Sequence, residues 1–193
     1  MAPYLDDRKI LDKKSIKRIQ SIVGTMPYYS RSFDTTIIQS INETSQVQSK
    51  TTRYTEEKSK MLLYYATIYS NAIIHYKVSD MILHMDSGAA YFTILEARSC
   101  YAGHFYLRYW PPQNPMKPNP KRNGPIHTEC KIIRNIVSSE AEAETCGTFN
   151  NRKKAIDMRP AIINLDHKQP ATTLKTDNYT TEEFVDLVMK PKH

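Results

Sequence analysis

The spacing of apolar residues changes once along the chain. From Ser15, the residues Ile16, Ile19, Ile22, Val23 and Met26 fall on one helical stripe, and Lys13, Lys14, Lys17 and Arg18 lie outside it. Ile37, Ile38 and Ile41 start a second, weaker helix after Asp34. Thr55 followed by Glu56 and Glu57 predicts a third helix start, because acids in a first turn suit the helix dipole. Met61, Leu62, Tyr65, Ala66 and Tyr69 supply its apolar face. Residues 1–79 are thus expected to form a small helical unit with no catalytic set of its own.

After residue 80 the pattern becomes strand-like. Met81-Ile82-Leu83-His84-Met85 is a short apolar run that delivers Asp86, with Ser87-Gly88 behind it as a turn. Cys100 to Trp110 alternates and predicts a second strand. Lys117 to Pro125 holds too many prolines for a ladder and predicts an exposed basic hairpin loop, with Ile126 to Ile136 as the return strand. Ser138-Ser139 cap a helix that begins Glu140-Ala141-Glu142-Ala143-Glu144 and that Pro160 interrupts. After the turn at Gln169-Pro170, Ala171 to Thr176 predicts a short strand ending at Asp177-Asn178, and Thr181 opens a last helix with Phe184, Val185 and Val188. The expected fold class is α/β: a mixed sheet flanked by helices, preceded by the small helical segment.

Composition narrows the class. The chain has 193 residues, room for one ordinary domain and an appendage. Its 40% hydrophobic and 24% charged residues exclude global disorder and fibrous architectures. The net charge of +7 favours polyanionic partners. Three cysteines, Cys100, Cys130 and Cys146, are too few for a disulfide scaffold. The N-terminal residues have no apolar core and no stretch is long enough to span a membrane, so the chain is expected to be soluble and intracellular, cytoplasmic or nuclear.

Acids therefore stand at the end of the first strand, the start of the helix and the end of the fourth strand. Carboxylates brought together repel unless a hard dication lies between them, and Mg²⁺ takes oxygen ligands. Two such ions about 4 Å apart activate water and stabilise the leaving oxygen in phosphodiester cleavage. The same positions also suit turn and cap residues. Glu142 lies about 200° around the helix from Glu140 and Glu144, which share a face. Either of that pair can supply the inward acid on geometry alone.

The motifs His84-Met85-Asp86-Ser87-Gly88-Ala89-Ala90, Ser138-Ser139-Glu140-Ala141-Glu142-Ala143-Glu144 and Thr176-Asp177-Asn178, in that order, resemble the C-terminal part of copia-type LTR retrotransposon polyproteins. That part is the end of the reverse transcriptase followed by its ribonuclease H domain. Ile19 to Met26, with Tyr28-Tyr29 and Asp34, is similar to the segment that joins polymerase to ribonuclease H. The resemblance implies a reverse-transcriptase thumb or connection remnant over 1–79 and a truncated ribonuclease H-like domain over 80–193. It implies Asp86, Glu144 and Asp177 as catalytic, metal-holding acids, with Glu144 chosen over Glu140 as the second acid of Glu-Ala-Glu. The cofactor implied is Mg²⁺ or Mn²⁺, the substrate an RNA–DNA hybrid, and the partner the remainder of the polyprotein. Gly88 replaces a second acid that is frequent in the family, and the further strand and fourth acid that the family normally carries beyond the Asp-Asn motif are expected to be missing from this chain, which stops at His193. The alternative expectation is a catalytically dead, nucleic-acid-binding fragment or relic of a transposable element.

Lys117, Lys121, Arg122, Lys131 and Asn178 are the candidate contacts to a hybrid, through charge and without reading base sequence. Tyr101, Phe105, Tyr106, Tyr109 and Trp110 suit either base stacking or core packing. Tyr4-Leu5-Asp6-Asp7 mimics a polymerase motif but lacks the flanking apolar strands, so no polymerase activity is expected. Cys100, His104, His127 and Cys130 resemble a zinc set in spacing. In strands the offset of three sends His127 and Cys130 to opposite faces, whereas the offset of four keeps Cys100 and His104 together, and core cysteines with strand histidines are the expected reading.

Overall fold

The computed structural model describes residues 9–94, 98–109 and 123–177. The predicted last helix from Thr181, the loop residues Lys117, Lys121 and Arg122, the Tyr4–Asp7 motif, Trp110 and Asn178 lie outside them. The chain divides into two compact units, one made of the residues up to Ile74 together with Ile94, the other of His75–Thr93 and the residues from Arg98 onward.

The first unit is helical, as its periodicity predicts. Helix α1 covers Lys13–Ser32, α2 Ile38–Gln46 and α3 Arg53–Ile68, with a single 3-10 turn Thr35–Ile37 ahead of α2. Asp12 caps α1 by accepting from Lys14 N at 3.1 Å. Met26, Ile37, Ile41 and Leu62 form the core, with Ile22, Tyr29, Leu63 and Ala66 against it. The predicted face of α3 is corrected in part. Thr55, Ser59 and Leu62 are buried, whereas Met61 is 70% exposed and Tyr69 52%. Small hydroxyl residues occupy the inner stripe because they satisfy themselves locally: Ser59 Oγ donates to Thr55 O at 2.8 Å.

The second unit is a four-stranded mixed sheet with a long helix on one face. Strands β1 (Ile82–Ile94), β2 (Arg98–Arg108), β3 (Pro125–Ile132) and β4 (Thr173–Lys175) lie in the order β3-β2-β1-β4, and α4 (Glu140–Asn164) connects β3 to β4. β2 and β3 are antiparallel, whereas β4 runs parallel to β1 with Asp86 opposite Lys175. The turn expected at Ser87-Gly88 does not form: β1 runs through it for 13 residues, and no glycine has a positive φ among the described residues. Asp86 therefore sits within a strand, not at its end. Pairing with β2 and burial of Ser87 under α4 outweigh the local turn preference of Ser-Gly. Pro160 does not stop α4, which continues to Asn164.

Alternation along β1 sends Leu83 and Met85 to α4, where they pack with Phe105, Ala155 and Ile162. The helix reaches the sheet through a stripe of small residues. Ala143 and Gly147 lie over Tyr101 and Ala89, and a Cβ on Gly147 would come within 2.9 Å of Tyr101 Cβ. One turn on, Asn151 is fully buried and donates through Nδ2 to Ser87 Oγ and Ala102 O, both at 2.8 Å. At the other end of the sheet, the Gln169 side chain accepts from Leu83 N at 2.9 Å and donates to Met81 O at 2.8 Å. The Arg159 guanidinium on α4 fixes this corner through Pro170 O, Gln169 O and Thr172 Oγ1.

Gly103 marks the tightest point, because a Cβ there would collide with Asn151 Oδ1. Gly103→Ala should cost about 1–3 kcal/mol of stability, the usual range for overpacking. In an Asn151→Ala background the same substitution should cost clearly less. Urea unfolding of the four corners of this double-mutant cycle measures the difference.

Candidate carboxylate site

The start of α4 sorts its three glutamates. Ser139 is the N-cap and accepts from Glu142 N at 3.2 Å. Glu142 Oε2 accepts from Ser138 N and Ser138 Oγ, both at 2.7 Å, so this acid is consumed in capping. Glu140 is exposed, and Glu144 is 5% exposed. The choice that helix geometry leaves open is decided by packing: Glu144 is the inward acid.

Glu144 Oε1 accepts from Ala89 N on β1 at 2.7 Å. Its Oε2 is buried and meets no hydrogen-bond donor among the described residues. Burial pushes the Glu144 carboxyl above its usual range, the bond from Ala89 N pulls it back, and the charges of Asp177 and Glu140 add to the rise. Asp177, exposed two residues past the Lys175 that pairs with Asp86, is thus near enough for its charge to act on Glu144. The helix start and the end of β4 bring two acids into one electrostatic neighbourhood.

Asp86 stands apart from them. With Met85 and Ser87 committed to α4, alternation puts Asp86 on the opposite face of the sheet, where its Oδ1 accepts from Tyr106 OH at 3.3 Å. His84 shares that face, stacked on the Tyr106 ring at 5.9 Å between centroids. Burial and the Arg108 charge hold the His84 imidazole below its usual pKa, and Asp86 offsets part of this. In the sequence His84 is read only as part of the first strand's motif and Tyr106 only as a stacking or core aromatic, and neither is tied there to Asp86. The alternation of His84 with Asp86 was the available signal.

The donor chemistry suits a hard cation: Glu144 offers a buried carboxylate oxygen with an acid beside it, and no cation is among the groups that shift it. The arrangement is not a closed cage, since no three His, Cys, Asp or Glu side chains among the described residues are grouped to hold a metal ion. Of the expected acids, Asp177 acts on Glu144 through its charge, and Asp86 lies on the other face of the sheet.

The remaining candidates divide in the same way. Lys131 Nζ lies 2.8 Å from Glu129 Oε2, and Glu129 is buried and also accepts from Tyr101 OH at 2.7 Å. Burial works to raise the Glu129 carboxyl, but the bonds from Lys131 and Tyr101 and the Lys131 charge prevail and hold it low. The Lys131 charge is therefore already matched inside the fold. Tyr101, Phe105 and Tyr106 are core residues, while Tyr109 is 47% exposed. The zinc-like set is split, because His127 packs at a tilt against Phe105 on the α4 face, and Cys100, His104 and Cys130 belong to the other. Burial raises the Cys146 thiol, which disfavours a thiolate nucleophile. No helix among the described residues is long and apolar enough to cross a membrane. Comparison of the chain with protein-family models, curated proteins and solved structures finds no match.

The two buried glutamates must respond oppositely to pH. Glu144 has a raised carboxyl in the fold, so its contribution is fully present below the ordinary glutamate range and is lost as pH rises through the folded value. Glu144→Gln keeps the acceptor for Ala89 N and should be more stable than the parent at neutral pH, with the gain vanishing below about pH 4. Glu129, held low, contributes above the ordinary range and loses this as pH falls. Glu129→Gln should be less stable at neutral pH and converge on the parent in acid. Urea unfolding across pH measures both.

Proposed function

We propose that this chain carries a ribonuclease H-like domain of copia-type retrotransposon origin that hydrolyses the RNA strand of RNA–DNA hybrids with Mg²⁺ or Mn²⁺. The observation that carries the reading is the buried Glu144 at the start of α4, set against β1 and within the field of Asp177 at the end of β4. The element order, three strands followed by a helix and a fourth strand parallel to the first, supports it together with the order of the three acidic motifs.

Glu144 and Asp177 would hold the ion, and the resemblance assigns Asp86 to the same task. When bound, the metal supplies water activation and stabilisation of the leaving oxygen. The chain's own part is orientation. Ala89 N holds Glu144 by Oε1 and leaves Oε2 for a ligand, and Tyr106 OH holds Asp86. The +7 net charge favours attraction of the hybrid. Lys117, Lys121, Arg122 and Asn178 remain the proposed phosphate contacts, with the rest of a retrotransposon polyprotein as the proposed partner.

A second reading, a hybrid-binding module without catalysis, is favoured by one observation: Asp86 lies on the face of the sheet away from α4. A labelled RNA–DNA hybrid incubated in Mg²⁺ and in Mn²⁺ separates the two. The expected result is cutting of the RNA strand by the parent. Glu144→Gln, Asp177→Asn and Asp86→Asn should each lose more than the roughly 100-fold that an outer-shell partner costs. Binding of the hybrid without cutting, by a folded parent, selects the second reading. Neither binding nor cutting overturns both.

A further inference from the structure

Residues 72–81 form neither helix nor strand, and His75, Tyr76, Lys77 and Val78 are exposed. The segment is nevertheless fastened to the entry of β3, largely by one side chain. Asn123 Nδ2 donates to Lys77 O and to Leu107 O, both at 2.9 Å. Its Oδ1 accepts from Lys77 N at 2.7 Å and from Gly124 N at 2.9 Å. Gly124 N also donates to His75 O at 2.9 Å, and Tyr76 OH donates to Pro125 O at 2.9 Å. The carboxamide thus uses both donors and both acceptor lone pairs.

The residue after this asparagine is glycine, which has no Cβ to hinder its backbone nitrogen from approaching Asn123 Cγ. In a free chain that nitrogen, once deprotonated, attacks Cγ. An N–Cγ bond forms, the Cγ–Nδ2 bond breaks, and Nδ2 leaves as ammonia, giving a five-membered imide. Water then opens the ring at either carbonyl to yield aspartate or isoaspartate. One water is consumed and one ammonia released, with no change of oxidation state. In the folded chain both reacting groups are tied down. The carboxamide is held by its four bonds, and the Gly124 N–H is engaged by His75 O.

We propose that Asn123-Gly124 is a deamidation site gated by the docking of residues 75–77, protected while they are docked and reactive once they leave. The product makes the release permanent. A carboxylate has no N–H, so it would turn an oxygen toward Lys77 O and Leu107 O where Nδ2 now donates. Isoaspartate in addition lengthens the backbone at the entry to β3. The segment therefore carries a one-way chemical record of having been undocked.

Peptide-resolved mass spectrometry of the full chain tests this, followed over days in mildly alkaline buffer with and without guanidinium. The folded parent should deamidate at Asn123 at least about tenfold more slowly than the unfolded chain, since reaction requires local opening. Tyr76→Phe, which removes one fastening bond, should speed the folded reaction. Asn123→Gln should stay intact, because its imide ring would have six members. Asn123→Asp should raise amide exchange at Lys77 and Gly124 by about tenfold, the worth of roughly one net hydrogen bond. Equal rates in folded and unfolded parent overturn the gating, and parental exchange in Asn123→Asp overturns the lock.

Discussion

Asn151 has no exposed surface, yet it stands where α4 comes closest to the sheet. Burying a polar amide at such a place is costly unless it is hydrogen-bonded; its Nδ2 donates to Ser87 Oγ on β1 and Ala102 O on β2, while its Oδ1 meets no donor among the described residues. Those two bonds tie the helix to two strands at once. They also demand space: Gly103 and Gly147 are the residues that let the backbones approach, and a methyl group at either would collide with its neighbour. The helix register then fixes what lies up and down its length. Two turns toward the N-terminus, this places Glu144 at Ala89, and two turns toward the C-terminus it places Arg159 over the loop that leads into β4. The position of the candidate acid is thus set from the middle of the helix.

The sheet holds two buried glutamates in contrasting surroundings. Glu129 is surrounded by donors and a cation and is a finished structural cluster. Glu144 has one donor, two acidic neighbours and an oxygen with no donor among the described residues. Burying a carboxylate without compensation is costly, so the second kind of environment is the one that qualifies as a candidate site. This contrast, more than the count of acids, separates a candidate site from ordinary packing.

The helical first unit was legible because Ile19, Met26, Ile37 and Ile41 repeat at helical spacing and are all buried. The strands were legible in type and order, but Ser87-Gly88 was misleading. A turn signal is a local preference, and the buried hydroxyl contact with Asn151 that overrides it joins residues 64 positions apart. The inner stripe of α4 was hidden for a related reason. It reads Ala143, Gly147, Asn151, Ala155, while Phe149, Ile156 and Ile163 face outward at about half exposure, so hydrophobicity points to the wrong face. Of the acids, Glu144 was placed by a motif that helix geometry alone left shared with Glu140. The separation of Asp86 from it follows from strand alternation, which becomes readable only once β1 is known to continue past Gly88.

Among the described residues, β4 is three residues long and pairs with only Met85 and its two neighbours in the thirteen-residue β1. Side chains answer some of the groups that the described part of β4 does not reach. Gln169 presents its amide to Leu83 N and Met81 O as a peptide group would, and Glu144 receives Ala89 N, an even number of residues further along and on the same edge. Backbone groups left open on such an edge are templates for another chain, and pairing there is a route to aggregation. Among the described residues, side chains from α4 and its following loop answer three such groups, Met81 O, Leu83 N and Ala89 N. The carboxylate that marks the candidate site is, at the same time, the acceptor for one of them.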